Sequence, residues 1–125
     1  MKDFSLPDRT VLLTVAGSRA YGMHMEDSDL DVKGIFVPPL KYYFGTKRIE
    51  QIDDKAELER FSSNLSTAQL SVKAKYGMEG TLFEVRRFLD LAAGANPNIL
   101  DVLFCREQEV ILNTTHGLQI GRAHV

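Results

Sequence analysis

The sequence predicts an α/β (α+β) fold on three observations. Thr10-Val11-Leu12-Leu13-Thr14-Val15-Ala16 is a β-branched, almost continuously apolar run that suits a buried strand. The stretch from Asp29 to Val37 alternates acidic and apolar residues in its first half, as a half-buried strand does. Leu82, Val85, Leu89 and Ala92 then recur at helical spacing, flanked by Phe88, and predict an amphipathic helix over residues 81–94.

The remaining elements follow in order. Gly17-Ser18 ends the first strand, where small residues let the backbone turn tightly. Arg19 to Met25 reads as a short connector, one or two helical turns at most, interrupted by Gly22. Pro38-Pro39 stops the second strand, because proline cannot donate to a ladder. Lys41 to Ile52 is aromatic and mixed, a loop with a short strand or turn. Asp53 to Tyr76 is polar, with a brief helical signal at Ala56–Phe61, and reads as a mobile, loop-like excursion outside the core. Gly94 ends the long helix, and Asn96-Pro97 caps a second, buried helix that continues through Phe104.

Composition bounds the class. A chain of 125 residues supports one small domain, read here as residues 1–119. Hydrophobic residues at 44% and charged residues at 26% exclude wholesale disorder. With 15 basic and 17 acidic residues the net charge is −2, so any polyanion site must be local. A single cysteine, Cys105, excludes an internal disulfide framework and a cysteine-rich zinc site, and fits a reduced cytoplasmic protein. No basic-then-apolar leader opens the chain, and no apolar run nears the roughly 20 residues of a membrane helix, so no membrane partner is expected. Residues 120–125 match the translation of a common sequencing adapter and carry no expected function. The natural protein is therefore expected to continue past residue 119.

The chemistry concentrates in Gly17-Ser18-Arg19-Ala20-Tyr21-Gly22 and Ser28-Asp29-Leu30-Asp31-Val32. Asp29 and Asp31 are two apart on a strand, so both carboxylates point to one face while Leu30 and Val32 point to the other. Two close carboxylates repel one another, and a divalent cation relieves the conflict; Mg²⁺ or Mn²⁺ suits oxygen ligands shared with substrate phosphates. Gly17 and Ser18 sit where a strand passes to a helix start, whose free N–H groups form an anion site. A phosphate cradle beside a carboxylate pair suits metal-assisted transfer from a nucleoside triphosphate.

Gly-Ser, ten residues, then Asp-apolar-Asp-apolar resembles the signature of the DNA polymerase β-like nucleotidyltransferase superfamily. Gly17-Ser18-Arg19-Ala20-Tyr21-Gly22 and Ser28-Asp29-Leu30-Asp31-Val32-Lys33-Gly34-Ile35-Phe36-Val37-Pro38-Pro39 resemble a branch that includes the RNA-repair-associated polymerase-β-like proteins. Phe83–Leu89 and Asn96–Asp101 resemble that branch's helical segments. The resemblance implies a nucleotidyltransferase-like small mixed sheet with helices packed on it. It also implies that Asp29 and Asp31 are catalytic metal ligands, and that Gly17 and Ser18, with Arg19 beside them, bind the triphosphate. A nucleoside monophosphate would pass from an NTP to an acceptor: an RNA end, a protein side chain or a small molecule. The superfamily adds a third acid from a later strand. Glu79 and Glu84 are the candidates; Glu84, between Phe83 and Val85, comes closer to an apolar-acid-apolar strand, unless a helix already begins at Leu82 and pairs it with Arg86 or Arg87.

Other readings stay open. A calcium loop fails at Val32, where glycine is needed, and at Pro38, where the closing glutamate belongs. Arg19 and Lys33 serve either a phosphate or solvent, and Glu26, Asp27, His24 and Tyr21 read chiefly as loop residues. Tyr42-Tyr43-Phe44 beside Lys41, Lys47 and Arg48 is either core and rim or a basic-aromatic patch for single-stranded nucleic acid. Against the enzyme stand a non-catalytic nucleotide- or metal-binding module and an inactive truncated fragment.

Overall fold

The computed structural model describes residues 3–15, 29–97, 99, 102 and 110–113. Among them, strands β1 (Thr10–Val15), β2 (Leu30–Phe36), β3 (Gln51–Ile52), β4 (Met78–Glu84) and β5 (Val110–Asn113) form one mixed sheet in the order β3-β4-β2-β1-β5. β1 and β2 pair antiparallel with Val15 opposite Val32, β2 and β4 run parallel, and β3 and β5 add antiparallel edges. The α+β expectation is met, and β1 and β2 fall where their apolar patterns place them.

Two apolar layers sandwich this sheet. Leu13, Val15, Leu30, Val32, Phe36 and Leu82 face Leu6 of α1 (Leu6–Arg9) together with Leu58, Phe61 and Leu65. On the other face Leu12 and Ile35 meet Phe88 of α5 (Val85–Ala93), Ile99 and Val102. Strand alternation sends successive residues to opposite layers, so Ile35 and Phe36 belong to different cores.

Three sequence expectations need correction. Residues 53–76 are not an excursion outside the core. They hold α3 (Lys55–Leu58), a 3-10 helix over Glu59–Asn64 and α4 (Thr67–Tyr76), and their Leu58 and Phe61 are each 1% exposed. A few large apolar side chains suffice to anchor a segment of polar average composition. Its helix starts were also legible: Asp54 accepts from Ala56 N–H, and Ser66 with Gln69 forms a reciprocal capping box.

Second, residues 81–84 are strand, not helix. β4 lies between β2 and β3, and pairing on both sides outweighs a local pattern that also fits a helix. Third, Leu89 is 38% exposed, whereas Phe88 is fully buried, because the helix begins only at Val85 and its inner face is reset accordingly. The aromatic stretch provides α2 (Lys41–Phe44) as well as β3. Residues 97, 99 and 102 are helical, as Asn96-Pro97 predicts. Among the described residues, no helix is long and apolar enough to cross a membrane.

Candidate functional site

Three acidic residues, Asp29, Asp31 and Glu79, stand at the starts of β2 and β4. Asp29 immediately precedes β2, and Asp31 is its second residue. β4 runs parallel to β2 with Glu79 registered opposite Asp31, so the two side chains stand next to each other on one face. Asp29 lies near enough to Glu79 for its charge to act on the Glu79 carboxyl. Leu30, Val32 and Met78, of the opposite parity, are buried in the other layer and anchor the acidic ends of both strands.

The backbones approach closely here because Gly80 follows Glu79. A Cβ at that position would lie 2.1 Å from the Val32 carbonyl oxygen. Such contact cannot be relieved by moving a flexible side chain, so glycine is what lets Glu79 sit beside Asp31.

The electrostatics reflect crowding of like charge. The negative charge of Asp29, then desolvation and the charge of Asp31, holds the Glu79 carboxyl above the usual glutamate range. Asp31 is also raised, chiefly by burial, with Lys33 opposing and Asp29 reinforcing the shift. Lys33 Nζ lies 3.9 Å from Asp31 Oδ1 on the same strand face. Asp31, Lys33 and Glu79 line a cleft of about 370 Å³, together with Asp53, Lys55, Gly80 and Thr81.

Glu84 has different work. It is 6% exposed and N-caps α5, accepting from the N–H groups of Arg86 (2.9 Å) and Arg87 (3.1 Å) and from the Tyr43 hydroxyl (2.5 Å). It lies an odd number of residues beyond Glu79, at the far end of β4. Of the two candidate third acids, only Glu79 stands beside Asp29 and Asp31.

The all-oxygen donor set fits a hard divalent cation in kind, and a cation would offset the like charge crowded around Glu79. Among the described residues, however, no three His, Cys, Asp or Glu side chains converge as a ready metal cage. Gly17, Ser18 and Arg19 lie outside the described residues, as do Tyr21, His24, Glu26, Asp27 and Cys105. Sequence reasoning missed Asp53 and Lys55, which belong to the segment read as an excursion. The signal was Asp54, a helix N-cap that fixes where its neighbours point.

The chain has relatives among known proteins. Over 103 residues the chain is 30% identical to an uncharacterized 38.9 kDa protein in the nrdC-mobD intergenic region of Enterobacteria phage T4. The match covers 82% of this chain and 28% of that protein, so the chain spans well under half of its relative's length. No solved structure matches it. A family model described as RNA repair pathway DNA polymerase beta family matches residues 4–119. The chain thus belongs to the RlaP family of polymerase-β-like proteins.

Proposed function

We propose that this chain carries the chemical centre of a nucleotidyltransferase. It transfers a nucleoside monophosphate from an NTP to an acceptor hydroxyl or phosphate. The supporting observation is the parallel register that sets Glu79 beside Asp31, with the charge of Asp29 close by. In this reading Asp29, Asp31 and Glu79 hold Mg²⁺ or Mn²⁺, and Gly17, Ser18 and Arg19 receive the triphosphate. Bound there, the cations supply charge stabilisation for the entering and leaving oxygens.

The chain's own groups account for the remaining steps. Lys33 and Lys55, in the same cleft as the acids, offset the substrate's phosphate charge. With a hydroxyl acceptor, its oxygen bonds to the α-phosphorus, the bond to the bridging oxygen breaks, and pyrophosphate leaves with the electron pair. The hydroxyl proton passes to a Glu79 carboxylate oxygen, which stands in the cleft beside Asp31.

A binding-only module is the second reading, favoured by the lack of a ready three-ligand cage among the described residues. Pyrophosphate release from labelled NTP with Mn²⁺ separates the two. The parent chain should release it, and Glu79→Gln should slow release about a hundredfold or more. Glu79→Gln turning over at the parental rate would remove Glu79 from the centre. A chain that binds Mn²⁺ and NTP without releasing pyrophosphate would establish the binding-only module.

A further inference from the structure

A second polar cleft, of about 270 Å³, lies at the opposite end of β4, between α2 and the start of α5. Arg48, Arg86 and Arg87 line it, with Tyr43 and Glu84. The three arginines are exposed, and among the described residues none forms a salt bridge. Arg86 lies over the Tyr43 ring, 5.9 Å from its centroid, which leaves its N–H groups available to an acceptor. Glu50 and Asp90 also line the cleft. Asp90 stands one helical turn from Arg86, yet the two form no ion pair. Glu84 is engaged by two backbone N–H groups and the Tyr43 hydroxyl, which reduces its hold on the arginines.

Beside this cleft α2 carries an aromatic side chain without a packing role. Tyr42 is buried against Phe4, edge to face, and Tyr43 is tied to Glu84, but Phe44 is 84% exposed. Leu40, next to α2, is 70% exposed, and Lys41 and Lys47 flank the patch. Phe44 follows Tyr43 directly in the chain, so an exposed ring suited to base stacking adjoins a cleft whose guanidinium groups can meet a phosphate backbone.

The geometry points to a docking surface for single-stranded nucleic acid, in which Arg48, Arg86 and Arg87 hold phosphodiester groups and Phe44 stacks on a base. Glu79 and Glu84 are about 16 Å apart along β4 at the usual strand rise, a span that a few nucleotides cover. As the seat of an acceptor strand, this surface rests on the nucleotidyl-transfer reading. As a binding surface it stands without it, since neither NTP nor cation takes part.

Fluorescence anisotropy of a short labelled oligoadenylate, in chelator and without NTP, tests the surface separately from pyrophosphate release. Phe44→Ala should weaken binding about tenfold. R86A/R87A should weaken it further and flatten the dependence of log affinity on log salt by about 0.7 per lost phosphate contact. Arg48→Ala, on a loop away from both cores, should also flatten the slope, and it guards against a helix weakened by the double substitution. Parental affinity and slope in all three variants would overturn the proposal. So would displacement of the oligonucleotide by polyglutamate as readily as by unlabelled strand, which would mark a site for acidic protein.

Discussion

Asp31 and Glu79 are both held where a carboxyl is harder to ionise than usual, and that has a measurable sign. Both carboxyls sit above their ordinary values, Glu79 chiefly through the charge of Asp29 and Asp31 chiefly through burial. A carboxyl raised on folding binds its proton more tightly in the folded chain. Its contribution to stability is therefore complete below the unfolded value and lost as pH climbs through the folded one. Thermal melts in chelator should show the parent losing stability as pH rises from the acid side of the carboxylate range towards neutrality. Asp31→Asn should flatten that decline, and an unchanged pH profile would contradict the coupling. The choice between Glu79 and Glu84 was not legible locally. Both have suitable neighbours in sequence, and only the register of β4 against β2 puts one beside Asp31 and the other at a helix start. The Asp29/Asp31 pair was legible, because a period-two spacing fixes a shared face without reference to the rest of the fold.

At the scale of elements, the junction of β4 and α5 turns on Glu84. Its carboxylate satisfies two of the N–H groups that a helix start leaves without partners. It also accepts from Tyr43, whose hydroxyl is pushed above its ordinary range by desolvation and then by that bond. Glu84→Ala should cost about 1 kcal/mol for the lost cap. In a domain of this size that is a fall of several degrees in Tm by circular dichroism. Glu84→Gln, which keeps one acceptor oxygen, should lose less, and equal losses would argue against the cap. This junction also explains why the sequence misleads here. Leu82, Val85, Leu89 and Ala92 fit one helical stripe, yet Leu82 belongs to a strand and Leu89 to the surface. β1 and β2 pose no such ambiguity, since β-branched runs and strict alternation have no helical counterpart. β5, a short strand of half-buried residues at the sheet edge, carries too weak a pattern to stand out.

Across the whole molecule, one sheet serves two apolar layers, and β4 contributes to both. Leu82 is fully buried in the layer with Leu58 and Phe61, and its neighbour Phe83 packs into the layer with Phe88. Leu82→Ala should therefore cost about 2–5 kcal/mol, the range for emptying a packed leucine site. Denaturant unfolding should remain a single transition, with near-ultraviolet and far-ultraviolet signals coincident. Two separated transitions would show that the layers unfold independently. The charge pattern divides the molecule differently: carboxylates gather where β2 and β4 begin, arginines where β4 ends.

The brevity of β3 has a consequence for access. Its two residues zip onto β4 only at Leu82 and Phe83, leaving the flank from Met78 to Thr81 without a β3 partner. A longer third strand would shield that margin but wall off the acidic mouth from the side. Ending at Ile52 instead hands that margin to Asp53 and Lys55, which line the cleft with Glu79, and so short an edge gives a stray strand little to pair with.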